Sequence, residues 1–298
     1  MTSSLSGVLV ALATPFSADG QLDESTLRAL VDRTIDGGVH GVVACGSTGE
    51  FSALTVDERR RVVETVVDQT AHRVSVVAQT GSTSTAEAIA LSRHAQSVGV
   101  DVVMPVAPFY EPLSLAETTN YLRRVASSVE IPVMLYNLPG ATGVDLSADT
   151  VAALAREVEN IRYVKNTSPD MAQAAQLIHH YGDLVGTFLG WDSLILSALV
   201  SGAAGVMAGT ANVVPAQIVA VYDAVQSGDL DAARQAWARV YPLLDASLSV
   251  NYIAAVKLAL DAAGFPVGPT RAPVLPLDPA DASRITELAS AFRPQPVA

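Results

Sequence analysis

The sequence predicts an α/β fold, a (β/α)8 TIM barrel followed by a C-terminal helical extension. Eight short apolar, β-branched runs recur along the chain, and amphipathic stretches with helix start and stop signals lie between them. The length of 298 residues suits a barrel of roughly 250 residues with an added segment.

The first run covers 7–16. Its core, Gly7-Val8-Leu9-Val10-Ala11-Leu12-Ala13, resembles a signal-peptide core, but no basic segment precedes it and it is too short to span a bilayer as a helix. A buried first strand closed by Thr14-Pro15-Phe16 is the expectation. Further runs follow at 39–46, 74–81, 101–107, 132–138, 161–167, 184–190 and 204–210. They are apolar on both faces, which suits a parallel sheet covered on both sides. Between them, Thr55-x-x-Glu58, Ser84-x-x-Glu87 and Ser114-x-x-Glu117 each fit a capping box, in which side chains satisfy the first orphan amides of a helix. Gly37-Gly38, Gly99, Gly182 and Gly202 stand where a left-handed residue would end a helix. About eight such units, joined by right-handed crossovers, close a barrel. The barrel with its active site is expected over 1–228, and a helical extension packed on it over 229–298. Helices are expected at 229–249, 251–263 and 280–292, with a Pro-rich connector from Pro266 to Pro279 and a frayed Arg293-Pro294-Gln295-Pro296.

Composition excludes several classes. Half of the residues are apolar and 16% are charged, so the chain has material for a large core. A net charge of -12 disfavours nucleic acid and anionic membranes as partners, since both need a basic patch. The single cysteine, Cys45, excludes an intramolecular disulfide framework and a Cys-based zinc site. A soluble, cytoplasmic protein is expected.

In such barrels the active site lies at the C-terminal ends of the strands. Three places there carry polar groups: Gly46-Ser47-Thr48-Gly49-Glu50, Tyr136-Asn137-Leu138-Pro139-Gly140, and Lys165-Asn166-Thr167. Period-two alternation places Tyr163, Lys165 and Thr167 on one strand face. Burying an ammonium is costly, and a desolvated neutral amine can attack a carbonyl to form a Schiff base. A structural lysine paired with a carboxylate is the alternative. The Gly46–Gly49 turn offers backbone amides and two hydroxyls to a small carboxylate, or is an ordinary strand–helix turn; no Lys-Ser/Thr follows to make it a P-loop. Tyr136 is either a proton donor and acceptor or a wedge at the barrel mouth. His179 and His180 are adjacent on one helix and diverge, His40, His72 and His94 lack ligand spacing, and Cys45 reads as a buried bystander. Gly202 to Gly209 would cradle a phosphate or serve small-residue packing.

Together these segments resemble the dihydrodipicolinate synthase / N-acetylneuraminate lyase family of Schiff-base aldolases, from about Gly7 through the C-terminal helices. The resemblance rests on Gly46-Ser47-Thr48-Gly49-Glu50, Pro108-Phe109-Tyr110, Tyr136-Asn137-x-Pro139 with Thr142-Gly143, and Lys165. It implies a Schiff base between Lys165 and the 2-oxo carbon of pyruvate or a pyruvate-derived acid. It also implies that Ser47 and Thr48 hold the carboxylate, that Tyr136 shuttles the proton, and that Thr48 and Tyr110 complete the catalytic set. Tyr110 would come from a neighbouring subunit of a homotetramer, a dimer of dimers. No metal or organic cofactor is implied.

Departures from the family pattern narrow the substrate. Synthases carry an arginine two residues after the Tyr-Asn-x-Pro proline; here Ala141 stands there and cannot form that bidentate clamp. The lyase branch fits at Ser47, at Pro108-Phe109-Tyr110 and at Gly190-x-Asp192, where Asp192 would bind substrate hydroxyls beside Thr167. That branch has Glu at Ser193 and Ser at Gly209, a position expected to line the substrate. The expectation is a lyase cleaving or forming a carbon–carbon bond next to pyruvate in a 2-oxo acid. The alternatives are a 2-keto-3-deoxy sugar acid dehydratase, a dihydrodipicolinate synthase, and a non-catalytic ligand-binding barrel.

Overall fold

A computed structural model describes residues 5–293; Pro294, Gln295 and Pro296, expected to fray, lie outside the described residues. Eight parallel strands follow one another and close into a barrel in sequence order: β1 (Gly7–Ala11), β2 (Gly41–Ala44), β3 (Ser75–Gln79), β4 (Val102–Met104), β5 (Val133–Asn137), β6 (Ile161–Asn166), β7 (Gly186–Leu189) and β8 (Gly205–Ala208). Each falls inside one of the eight apolar runs. Helices alternate with them: α1 (Glu24–Asp36), α2 (Val56–Thr70), α3 (Thr85–Ser97), α4 (Leu115–Ala126), the short α5 (Pro139–Thr142), α6 (Ala148–Glu157), α7 (Met171–Tyr181), α8 (Ile195–Val200) and α9 (Pro215–Gln226). Three more helices follow among the described residues: α10 (Leu230–Leu248), α11 (Tyr252–Ala262) and α12 (Pro279–Ser290). Among the described residues no helix is long and apolar enough to cross a membrane.

The chain forms two compact units. One holds 5–7 and Ser75–Met207; the other holds Val8–Val74 and 208–293.

In the first unit, β5, β6 and β7 set the register of the chemistry. Tyr136 of β5 stands opposite Lys165 of β6, and Lys165 opposite Phe188 of β7. Tyr163 uses the same face lower on β6, where its hydroxyl accepts the Leu5 N–H at 3.0 Å. Two helix starts were legible and only one formed fully. Ser114 and Glu117 make the reciprocal box at α4. At α3, Ser84 accepts the Glu87 N–H, but the Glu87 carboxylate instead accepts the Ser82 hydroxyl at 2.8 Å, so the return half of the box is missing. Gly182 also differs from expectation: it ends α7 at φ -59, right-handed, whereas Gly99 and Gly202 are left-handed as anticipated. His179 and His180 lie exposed on α7.

In the second unit, Asn212 ties the end of β1 to the segment after β8. Its side chain accepts the Ala13 N–H at 3.1 Å and donates to Ala11 O and Gly209 O. His40 accepts the Val8 N–H through Nδ1 at 3.1 Å, which leaves it a structural role at the strand start. Thr55 and Glu58 form the expected box at α2. The same Glu58 carboxylate receives both guanidinium Nη atoms of Arg271, at 2.9 and 2.6 Å. This ties the connector before α12 to the start of α2.

That pair has a consequence for acid stability. Hydrogen bonding from Arg271, against a smaller opposing effect of burial, holds the Glu58 carboxyl at about 2 instead of 4.5. A carboxyl depressed on folding adds stability above its unfolded value and loses it as pH falls through the folded value. The lowering from 4.5 to about 2 corresponds to ~3 kcal/mol for this group, which is one-fifth exposed. Arg271→Met is therefore expected to flatten the fall of the urea midpoint between pH 4.5 and 2. Parallel profiles for variant and wild type would contradict the assignment.

Candidate active site

Lys165 is 4% exposed, and among the described residues no carboxylate pairs with it. Its Nζ stands 4.2 Å from the centroid of the Tyr136 ring. Tyr136 is itself buried at the end of β5. A buried lysine held by a salt bridge was the alternative reading, and the geometry is of a different kind: an amine against an aromatic face, available to an electrophile.

Gly190 explains how the lysine fits. A β-carbon there would sit 2.5 Å from Lys165 Cε and 2.1 Å from Thr167 Oγ1. Glycine at the end of β7 thus leaves room for the side chains of β6 on the same face. The Thr167 hydroxyl is buried there with no hydrogen-bond partner, a costly state for a polar group unless something else satisfies it. Lys165, Tyr136, Thr167 and Gly190 are therefore brought together. Asp192 follows on a short 3₁₀ turn, Asp192–Leu194, and is 3% exposed. Trp191 packs against Ala174, Leu189, Ala198 and Ala203 near α7 and α8. Tyr110 stands apart in the β4–α4 loop, 82% exposed.

Behind these residues lies a polar network that sequence reasoning missed. Asn137 donates to Asp145 at 2.8 Å and to Asn166 at 3.0 Å, and accepts the Leu146 N–H. Gln173 of α7 donates to both carboxylate oxygens of Asp145. The network anchors the segment around α5, which carries the exposed Ala141, to the ends of β5 and β6. Asp145 and Gln173 give no sequence signal, because their partners come from other elements.

The second unit contains the Gly46–Glu50 turn. Its internal bonds run from Gly49 N–H to Gly46 O and from Glu50 N–H to Ser47 O, both 3.0 Å. Cys45 (φ 56) and Glu50 (φ 54) bracket the turn in left-handed conformations that residues with a β-carbon seldom adopt. Thr14 donates to Gly49 O at 2.7 Å and secures the turn from β1. Burial pushes the Cys45 thiol up to about 12, so it is a bystander and not a nucleophile.

Gly209 belongs to this turn's surroundings. A β-carbon there would lie 2.8 Å from Thr48 Oγ1 and 2.5 Å from the Tyr252 hydroxyl. Thr48, Gly209 and Tyr252 therefore converge, and Tyr252 accepts the Thr210 N–H at 3.1 Å. Tyr252, at the start of α11, was not identified from sequence. Among the described residues no group of three or more His, Cys, Asp or Glu side chains is placed to hold a metal ion.

Comparisons with known proteins identify the family of the chain. The model of the Dihydrodipicolinate synthetase family matches residues 4–292. A protein of Halobacterium salinarum named "Uncharacterized DapA-like lyase" is 41% identical over 278 residues, 93% of this chain and 90% of its own. A 4-hydroxy-tetrahydrodipicolinate synthase of Pelobacter propionicus is 40% identical over 280 residues, 94% of this chain and 95% of its own. Among solved structures, YagE, a prophage protein of the dihydrodipicolinic acid synthase family from E. coli K12 in complex with pyruvate, superposes with a TM-score of 0.92 at 32% identity, covering 97% of this chain and 98% of its own. The chain belongs to the dihydrodipicolinate synthetase family, whose members are Schiff-base, pyruvate-dependent carbon–carbon lyases.

Proposed function

We propose that this member of the family uses Lys165 to form an imine with the 2-oxo carbon of pyruvate or a pyruvate-derived 2-oxo acid, and cleaves or forms the bond at C3. The observation that carries this reading is the buried, carboxylate-free Lys165 amine facing Tyr136 in the space left by Gly190. In the cleavage direction the amine adds to C2, water leaves, and the resulting iminium accepts the electron pair of the breaking C3–C4 bond. The C4 hydroxyl gives its proton to the Tyr136 oxygen as the aldehyde forms, and the phenol passes its own proton on to the enamine C3. Protonation of the enamine at C3 and hydrolysis then return pyruvate and the free amine.

Ser47 and Thr48 are assigned the substrate carboxylate. Support comes from the family resemblance and from the tight Gly46–Glu50 turn on which both residues lie. Thr167, with its unpartnered hydroxyl, and Asp192 are assigned to substrate hydroxyls, Gly190 to the space around Thr167, and Gly209 to substrate binding beside Thr48. Tyr136→Phe is expected to retain imine formation with pyruvate while turnover falls by ~10²–10⁴, the usual worth of one positioned acid–base group. Parallel trapping and steady-state assays check this; unchanged turnover would remove Tyr136 from the proton path.

The names of relatives such as the Pelobacter enzyme favour a second reading, dihydrodipicolinate synthase. Against it, Ala141 offers only a methyl group where a guanidinium would clamp a second carboxylate. A panel of hydroxylated and apolar aldehydes, 2-keto-3-deoxy sugar acids and aspartate semialdehyde, each assayed for aldol, dehydration and condensation products, separates the three activities. A homotetramer in the cytoplasm completes the proposal. The 82% exposure of Tyr110 supports its delivery to a neighbouring subunit.

A further inference from the structure

Glu50 closes the turn that carries Ser47 and Thr48, and it is 3% exposed. A buried carboxylate needs compensation, and residues beyond 250 supply it. Lys257 of α11, 4% exposed, forms an ion pair with Glu50 Oε1 at 2.6 Å. The backbone N–H of Arg271 donates to Glu50 Oε2 at 2.8 Å. Lys257 also donates to Pro269 O at 2.8 Å, and its Nζ lies 4.2 Å from the centroid of the Phe16 ring. The Arg271 guanidinium sits 4.1 Å from the same ring and bonds Gly20 O, Ala53 O and Glu58. Burial pulls the Lys257 amine below its ordinary value, with Glu50 opposing that pull.

Two consequences meet at the turn. The left-handed Glu50 is anchored by the Arg271 N–H at Oε2, and its negative charge is balanced at Oε1 by a cation that reaches in from α11. Without that cation, an unbalanced carboxylate would stand three residues from Ser47 and two from Thr48, where an anionic substrate group has been placed. Low local dielectric makes such a like charge costly for anion binding.

We propose that Lys257 is a positioning residue for the anion-binding turn: through Glu50 it fixes the turn and cancels the charge that would repel a substrate carboxylate. The C-terminal extension is in this way a working part of the carboxylate seat. The inference rests on the assignment of Ser47 and Thr48 to that carboxylate.

The test uses the full-length chain and reads the pyruvate concentration that half-saturates borohydride trapping, together with KM and kcat. Lys257→Met is expected to raise half-saturation and KM at least about tenfold, the effect of ~1.4 kcal/mol of lost anion binding. Trapping at saturating pyruvate and kcat are expected to stay within about threefold of wild type. Lys257→Arg should recover most of the affinity, and so should the double variant Lys257→Met/Glu50→Gln, which removes both charges together. If Lys257→Met does not fold by circular dichroism, Lys257→Gln removes the charge while keeping a donor for Pro269 O and carries the same expectation. Wild-type half-saturation in the neutral variants overturns the inference, as does an equal fall in kcat and affinity that the double variant fails to relieve. A wild-type chain that traps no pyruvate overturns the functional reading beneath it, and the inference falls with it.

Discussion

Lys165→Arg is expected to lower turnover at least ~10⁴-fold and to abolish borohydride-trappable adducts. The substitution keeps a long basic side chain beside the Tyr136 ring, where Lys165 Nζ now lies 4.2 Å from the centroid. What it removes is an amine that can become neutral and attack a carbonyl, since a guanidinium does not deprotonate in proteins. An electrostatic role for Lys165 predicts the opposite result: arginine would retain a substantial part of the activity. Stopped and steady-state assays on the two proteins, with near-UV circular dichroism as a fold control, decide between the roles. Residual turnover within tenfold of wild type would contradict covalent catalysis.

Gly190→Ala is expected to lower kcat about 10²-fold or more, because a displacement of roughly 1 Å at a reacting group costs that much. The added β-carbon would stand 2.1 Å from Thr167 Oγ1 and 2.5 Å from Lys165 Cε, distances that no side chain tolerates without moving. Thr167 can turn about χ1. Lys165 has to shift as well, since Cε is the carbon that bears the reacting Nζ and Cγ would also lie only 3.3 Å from the added carbon. Overpacking of this kind also costs ~1–3 kcal/mol of stability, so the urea midpoint should fall together with the rate. Wild-type kcat in a stable Gly190→Ala protein would show that the lysine's seat is not set by β7.

Local signals explain why the strands and most helix starts were legible. Apolar runs and the Thr55 and Ser114 boxes depend on residues within four positions of one another, and both boxes form. Glu87 departed from the pattern because Ser82, outside the window of the motif, offered its carboxylate a competing hydroxyl. Gly182 departed because α7 ends in a right-handed residue, which the identity of the residue does not disclose. At the site, Lys165, Tyr136 and Thr48 stood out as unusual residue types at strand ends. Gly190 was quoted only for its motif, and its steric role required the β6–β7 register that sets Lys165 opposite Phe188. Tyr252, Lys257 and Gln173 were invisible for a related reason. Each lies on an ordinary amphipathic helix, and only tertiary contacts with Gly209, Glu50 and Asp145 distinguish it from a neighbour.

The most direct test of the central claim is borohydride reduction of the wild-type chain with pyruvate, followed by peptide mass spectrometry. The account predicts one reduced pyruvyl group per chain, on the peptide that contains Lys165 and on no other lysine, and none in the Lys165→Arg protein. An adduct on another lysine, or none with pyruvate or any other 2-oxo acid, would contradict it.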